Sequence, residues 1–280
     1  MQIFEKIIKK TRKHYIITLV ILYIGILIIW KSISLTLWGW AFQGLIISFI
    51  ILIVAKFIGY INTFGFRKNN ILKGLDSCYP VFCVGIYSLI LSLVYINRIG
   101  FLKPYIAFRM YYHNHPLIQS LLNIGVLKPY YYFIGIYIIH LFGVALFEEI
   151  FMRGIILNIL VKNYEKNKLF PIIISSFIFG ITHLLNGFEY LVGTISQVLY
   201  TTVLGIFWAV IYLKYNNIWC VVISHFLLNC MIFIPFLFFS FIENTFKLLS
   251  IPIVAVFNVL ISIPGLIYSL HLYKNIDKKA

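Results

Sequence analysis

Two adjacent carboxylates interrupt a long apolar stretch of the chain. Glu148 and Glu149 are flanked by mostly apolar residues that extend from Tyr130 to Val161. A charged side chain deep in a bilayer costs at least about 2.5–3.5 kcal/mol on insertion scales, so two side by side need a compensating role. Arg153 lies four residues after Glu149, which predicts an ion pair on one helical face. Glu148 points about 100° away from Glu149 on a helix. It therefore takes no part in the predicted pair of Glu149 with Arg153 and is available for chemistry.

Two later apolar segments each contain a histidine with a polar or aromatic neighbour one helical turn away. Phe179 precedes His183 by four residues, and His225 precedes Asn229 by four, so each pair lies on one helical face. Measured from the predicted inner ends of their segments, Glu148 and the two histidines lie roughly 12–20 Å deep at 1.5 Å per residue. Independent structural histidines would have no reason to match in depth. These groups therefore predict one shared polar site.

The chemistry that these residue types support is hydrolysis. A desolvated carboxylate is a competent general base for a water molecule, and one imidazole can share that water. The second imidazole and the amide can stabilise an oxyanion, where loss of one donor typically costs about 10²–10³ in rate. Glu148, His183 and His225 also match a His₂Glu zinc site, although the HExxH signature is absent. The metal-free arrangement is favoured because it gives Asn229 a role, and zinc stays the alternative.

Structural explanations compete with a catalytic site. Glu149 and Arg153 could form a surface ion pair at a cytoplasmic helix end, although apolar residues from Ile155 to Val161 continue beyond them. Each histidine taken singly could serve only as a hydrogen-bonding contact between helices.

The composition excludes a water-soluble protein. Of the 280 residues, 62% are hydrophobic and 11% are charged, whereas soluble domains are about 45–50% apolar and about 25% charged. Apolar runs long enough to span a bilayer predict an all-α membrane protein with about eight transmembrane helices. We place these spans at residues 15–30, 35–57, 80–97, 130–160, 170–187, 189–213, 217–241 and 249–272. The four cysteines show no CxxC spacing and predict neither a zinc ribbon nor a disulfide framework.

The chain shows no internal repeat and no linker to a soluble domain. Residues 1–280 are therefore predicted to form a single polytopic membrane domain, with residues 130–235 as a catalytic core around an intramembrane polar cavity. With the N-terminus inside, most of the 23 Lys and Arg residues fall in inner segments, so both termini are predicted to be cytoplasmic. The net charge of +15 then reflects topology in the cell membrane and contact with anionic lipids, and it implies no nucleic-acid partner.

The three motifs, in this order, resemble those of the CPBP intramembrane proteases. They are Glu148-Glu149-x-x-x-Arg153, Phe179-x-x-x-His183 and His225-x-x-x-Asn229. This family is classed among the metallopeptidases, and it includes the CAAX prenyl endopeptidases and the bacterial Abi-type proteins linked to bacteriocin processing and immunity. The resemblance covers roughly residues 130–235, and the eight predicted spans agree with the CAAX enzymes.

The resemblance implies a role for each motif residue. Glu148 would activate the water with His183 as its partner, while His225 and Asn229 would stabilise the oxyanion. The supporting residues that it implies are Glu149, Arg153 and Phe179. A metal-free glutamate mechanism and a zinc-dependent one are both compatible with the resemblance, so the cofactor is either absent or Zn²⁺.

The expected function is intramembrane hydrolysis of a membrane-associated peptide or prepeptide, with lipids and that substrate as the partners. The Ile-, Lys-, Asn- and Tyr-rich, Ala-poor composition is typical of an AT-rich bacterium, so a literal prenylated CAAX substrate is not expected. One alternative is a non-catalytic immunity or scaffold protein of the Abi type that binds a bacteriocin or another partner. A transporter or proton relay is a third possibility, because buried Glu and His also serve those functions.

Overall fold

The computed structural model describes residues 21, 24–26, 28–29, 37–57, 59–83, 85–87, 128–165, 167–186, 191–239 and 262–274. This part of the chain contains helices, turns and short loops but no strand. The main helices are α1 (Leu37–Phe57), α2 (Ile71–Asp76), α3 (Lys128–Glu149), α4 (Asn158–Asn163), α5 (Leu169–Thr182), α6 (Leu191–Tyr215) and α7 (Ile218–Phe239). Residues 262–274 form a further helix.

Five predicted spans correspond to long helical segments of the described chain. They are 35–57 (α1), 130–160 (α3 to α4), 170–187 (α5), 189–213 (α6) and 217–241 (α7). The predicted spans at 15–30, 80–97 and 249–272 lie largely outside the described residues, although 79–83, 85–87 and 262–274 are helical. The architecture is therefore all-helical where it is described, and the count of eight spans stays a prediction.

Apolar helices with exposed apolar faces dominate the described chain. One helix, Thr194–Tyr215, is long and apolar enough to cross a membrane. Shorter apolar helices cover Ala41–Phe57, Leu169–Thr182 and Ile218–Met231. On α1, large apolar side chains such as Phe57, which is 87% exposed, point away from the protein. A contiguous apolar face of this kind is typical of a surface that contacts lipid or another apolar partner.

The helix that carries the two carboxylates changes its pitch directly after them. Between α3 and α4 the chain continues as a π-helical segment, Ile150–Leu157, in which hydrogen bonds run from residue i to i+5. Asn158 donates a side-chain hydrogen bond of 3.0 Å to the carbonyl of Gly154 and so satisfies an acceptor within this widened segment. A Cβ added to Gly154 would lie 3.1 Å from the ring of Phe64, so a glycine lets the two pack closely.

The ends of several helices are joined at one end of the bundle. Asn217, at the start of α7, donates hydrogen bonds of 2.7 Å to the carbonyls of both Arg67 and Asn69. Tyr212, near the end of α6, donates a hydrogen bond of 3.0 Å to the carbonyl of Thr63. These bonds tie together segments that the sequence predicts to lie on the same, inner side of the membrane.

Small residues allow α5 and α6 to cross closely. A Cβ added to Gly205 would lie 3.0 Å from the Cβ of Ser176, and one added to Gly180 would lie 2.8 Å from the carbonyl oxygen of Val198. Both distances are tighter than ordinary van der Waals contact, so larger residues would push the helices apart. The close crossing brings the backbone of α6 against the site described next.

Candidate active site

Glu149 is the centre of a buried network of charged groups. Its Oε1 accepts a hydrogen bond of 2.8 Å from Nδ1 of His225 on α7. Its Oε2 lies 3.0 Å from Nε of Arg153, so the ion pair that the i, i+4 spacing predicts is formed. That second contact is electrostatic, because no hydrogen bond reaches Oε2. The side chains of Glu149 and Arg153 are 0% and 2% exposed, which excludes a surface ion pair at a helix end.

Arg153 also contacts groups other than Glu149. Its Nη2 donates a hydrogen bond of 3.2 Å to the carbonyl of Gly205 on α6. Its Cζ lies 5.1 Å from the ring centroid of Phe179 and 5.7 Å from that of Trp208, both within the range of a cation–π interaction. A buried guanidinium needs such partners because an uncompensated buried charge is strongly destabilising.

His225 faces both carboxylates of the adjacent pair. Its Nδ1 bonds to Glu149, and its Nε2 lies 3.6 Å from Oε2 of Glu148. The second contact is longer than a hydrogen bond and is electrostatic. The side chain of Glu148 is 17% exposed, so it is more accessible than Glu149. The two neighbouring carboxylates therefore have different surroundings, one enclosed by charged partners and one open.

Two aromatic rings fix the plane of the His225 ring. Trp208 stacks on its face, with ring centroids 4.3 Å apart and an interplanar angle of 22°. Phe179 approaches it nearly perpendicularly, with ring centroids 6.1 Å apart. Both aromatic side chains are almost fully buried.

His183 lies on the other side of the same phenylalanine. Its ring packs against Phe179 at 89° with centroids 5.1 Å apart, and its Nδ1 is 3.0 Å from the carbonyl oxygen of Phe179. A carbonyl only accepts hydrogen bonds, so Nδ1 carries the proton and Nε2 of the neutral ring is an acceptor. His183 begins a 3₁₀ turn, His183–Asn186, that follows α5. No hydrogen bond or ion pair joins it to Glu148 in the described part of the chain.

Asn229 lies one turn beyond His225 on α7 and is partly buried. Among the described residues it makes no hydrogen bond, so its amide is not committed to a structural contact there. Three helical segments thus supply the site: α3 with its π segment, the C-terminal end of α5, and α7. The fourth element, α6, contributes Trp208 and the Gly205 carbonyl.

The spacing of the site's donor groups bears on whether they can hold zinc. A catalytic zinc site needs three protein ligands at about 2.0–2.2 Å from the metal for nitrogen and oxygen donors. Within the described ranges, no group of three or more His, Cys, Asp or Glu residues is placed to hold a metal ion. Glu148 and His225 approach each other, but His183 does not complete a triad with them. The donor set in this arrangement does not fit a zinc ion.

Two contributors to the site on α6, Trp208 and the Gly205 carbonyl, have no place in the three motifs. Trp208 stacks on His225 and donates a hydrogen bond of 3.1 Å from Nε1 to Oγ of Ser224. No sequence signal marks Trp208, because tryptophans of membrane helices usually lie near the membrane interfaces and Trp208 is five residues from the end of the predicted span 189–213. The position of the Gly205 carbonyl carries no sequence signal, because it depends on how α6 crosses α5.

Comparison with known families finds a match over the segment that carries this site. Residues 130–231 match the family model described as type II CAAX prenyl endopeptidase Rce1-like. No curated protein and no solved structure matches the chain. The matched family is membrane-integral, and its description is that of a prenyl endopeptidase. All three motifs lie within the matched residues, and the match confirms the family resemblance that they indicate: residues 130–231 are similar to the Rce1-like, type II CAAX prenyl endopeptidases.

Proposed function

We propose that the protein is an intramembrane endopeptidase that hydrolyses peptide bonds of membrane-associated peptides or prepeptides. The observation that carries the proposal is the placement of Glu148, the more exposed carboxylate, beside a His225 ring that Glu149 and Trp208 hold in place. This site lies within the residues that match the endopeptidase family. We assign residues 1–280 to one membrane domain, with the catalytic core at 130–235.

Glu148 is the proposed general base. Its carboxylate removes a proton from a water molecule, which His183 helps to position through its unprotonated Nε2. The resulting hydroxide forms a bond to the carbonyl carbon of the substrate, and the electron pair of the C=O double bond moves to the oxygen. When the tetrahedral intermediate collapses, the C–N bond breaks and Glu148 returns the proton to the leaving amine.

His225 and Asn229 are the proposed oxyanion donors. Because Nδ1–H of His225 is donated to Glu149, a proton on Nε2 makes the ring an imidazolium. The two carboxylates, Glu149 and Glu148, then face the two positive charges of this ring and Arg153. The amide N–H of Asn229, one helical turn away, supplies a second donor. Preorganised donors of this kind stabilise the transition state without reorganisation during the reaction.

The cleavage experiment uses the full chain in proteoliposomes with a mixed set of prenylated and unprenylated membrane peptides. We expect new peptide termini in the mass spectrum with the wild-type protein and none with Glu148→Gln. If the protein only binds a bacteriocin or another partner, the wild type would produce no new termini. The Glu148→Gln variant would then keep the cellular phenotype of the wild type. That result would favour the non-catalytic Abi-type alternative.

Zinc content is a separate test of the metal-free mechanism. We expect purified, active protein to contain well under one zinc per chain and to keep cleaving after exhaustive chelation, because every site residue already has a role without a metal. Elemental analysis and cleavage assays before and after chelation measure this. About one zinc per chain, lost together with activity and restored on re-addition, would contradict the metal-free mechanism and make Glu148, His183 and His225 the candidate ligands.

Membrane topology is the third part of the proposal. We propose a multi-pass protein of the cell membrane with both termini in the cytoplasm. Reporter fusions at Lys73, Lys214, Lys166 and the C-terminus are expected to report the cytoplasm, and a fusion near Ile118 the outside. The hydrogen bonds between the segments around Arg67 and Asn217 support the first two positions lying on one side. Opposite signals at Lys73 and Lys214 would contradict this topology.

A further inference from the structure

Trp208 contacts both side chains that bind Glu149. It stacks on the face of His225 at 4.3 Å, and its ring centroid lies 5.7 Å from Cζ of Arg153. It is 1% exposed, so these contacts are made away from water. Both contacts are favourable, because aromatic rings attract one another and the face of a ring attracts a desolvated cation. One side chain therefore supports both ends of the charged network.

The indole is itself anchored. Its Nε1–H donates a hydrogen bond of 3.1 Å to Oγ of Ser224, the residue directly before His225. This bond links α6 to α7 at the level of the imidazole and fixes the rotation of the indole in its own plane. The stacked pair is thus held at two points, through the ring faces and through Ser224.

We propose that Trp208 is a positioning residue that keeps the His225 ring and the Arg153 guanidinium in contact with the carboxylate of Glu149. The torsion that turns an imidazole about its Cβ–Cγ bond has broad minima, so covalent geometry alone does not fix the ring plane. The hydrogen bond to Glu149 holds one edge of the ring, and Phe179 touches it only edge-on. Without the indole face, the ring turns and carries Nε2 away from Glu148. The catalytic role of the His225 ring rests on the proposed function, whereas the positioning role of Trp208 rests only on the contacts described above.

The direct test is NMR of ¹⁵N-histidine-labelled protein in detergent micelles. The hydrogen-bonded Nδ1–H proton of His225, identified by its loss in His225→Gln, is expected in wild type and in Trp208→Phe, which keeps an aromatic face. In Trp208→Leu it is expected to broaden or vanish through exchange with water. Phe207→Leu, which removes a neighbouring buried ring on α6 that packs on Tyr268, is the matched control and retains the signal.

Retention of a sharp His225 signal in folded Trp208→Leu overturns the proposal. If Trp208→Leu does not fold, Ser224→Ala decides: it deletes the anchor of the indole and is expected to speed exchange of the same proton. Ser224 also shares a hydrogen bond with the Cys78 thiol, so Cys78→Ala, which removes only that second bond, is the matched control and keeps the wild-type exchange rate. An unchanged exchange rate in Ser224→Ala then overturns the proposal.

Kinetics supply the second readout. In the cleavage assay, Trp208→Leu is expected to lower kcat by about 10- to 100-fold with KM little changed, because misplacement of a catalytic group by about 1 Å has this effect. Trp208→Phe is expected to recover most of the rate, and Phe207→Leu to keep it. Absence of cleavage by the wild type would reject the proposed function while the NMR result still decides the role of Trp208.

Discussion

We expect Glu148→Gln to lower kcat for peptide cleavage by about 10²–10⁴-fold while KM changes little. General-base catalysis contributes a factor of this size, and the amide of glutamine has the shape of the carboxylate but cannot take up a proton. Glu148 approaches His225 at 3.6 Å without a hydrogen bond, interacts with Tyr200 only electrostatically, and has a partly exposed side chain. Its replacement therefore removes little structural support, and the thermal unfolding temperature is expected to stay close to that of the wild type.

The controls for this experiment separate charge, position and fold. Glu148→Asp keeps the charge but withdraws it by one methylene, and we expect a loss of about 10²-fold from the misplacement. Glu165→Gln makes the same chemical change at an exposed residue and is expected to leave cleavage unchanged. Cleavage by Glu148→Gln within threefold of the wild-type rate would show that Glu148 is not the base.

Contacts within one helix could be predicted from the sequence, and contacts between helices could not. The ion pair of Glu149 with Arg153 follows from a spacing of four residues, which places both side chains on one face. The shared face of His225 and Asn229 follows in the same way. The segments that form α1, α5, α6 and α7 were also predictable, because apolar runs of sufficient length mark them in the sequence.

The bond between His225 and Glu149 joins residues 76 positions apart, and the sequence offers two adjacent carboxylates as partners. Which of the two receives the bond depends on how α3 is rotated against α7. Both Glu148 and Glu149 lie where the α-helix meets the π-helical segment. The spacing of residues in the sequence did not indicate the wider turns of this segment. The sequence therefore indicated candidate residues, but not which of them contact one another across helices.

The role of Glu149 leads to the second large effect. We expect Glu149→Leu to lower the free energy of unfolding by about 3–5 kcal/mol, since it leaves the Arg153 guanidinium buried without its carboxylate partner. Chemical or thermal unfolding in detergent micelles measures this. Glu149→Gln, which can still accept the hydrogen bond of His225, is expected to be less destabilised. If Glu149→Leu is as stable as the wild type, the buried Arg153 guanidinium does not need the carboxylate of Glu149 as its partner.

The double variant Glu149→Leu/Arg153→Met separates stability from catalysis. Replacing both members of a buried ion pair by apolar residues of similar volume is often neutral or stabilising, so we expect it to recover most of the lost stability. It is not expected to recover cleavage, because Nδ1–H of His225 still lacks its acceptor and the ring is no longer oriented towards Glu148. Recovery of stability without activity would assign Glu149 to the positioning of His225. Recovery of both would mean that Glu149 serves only to neutralise Arg153, and that the stack on Trp208 is enough to orient His225.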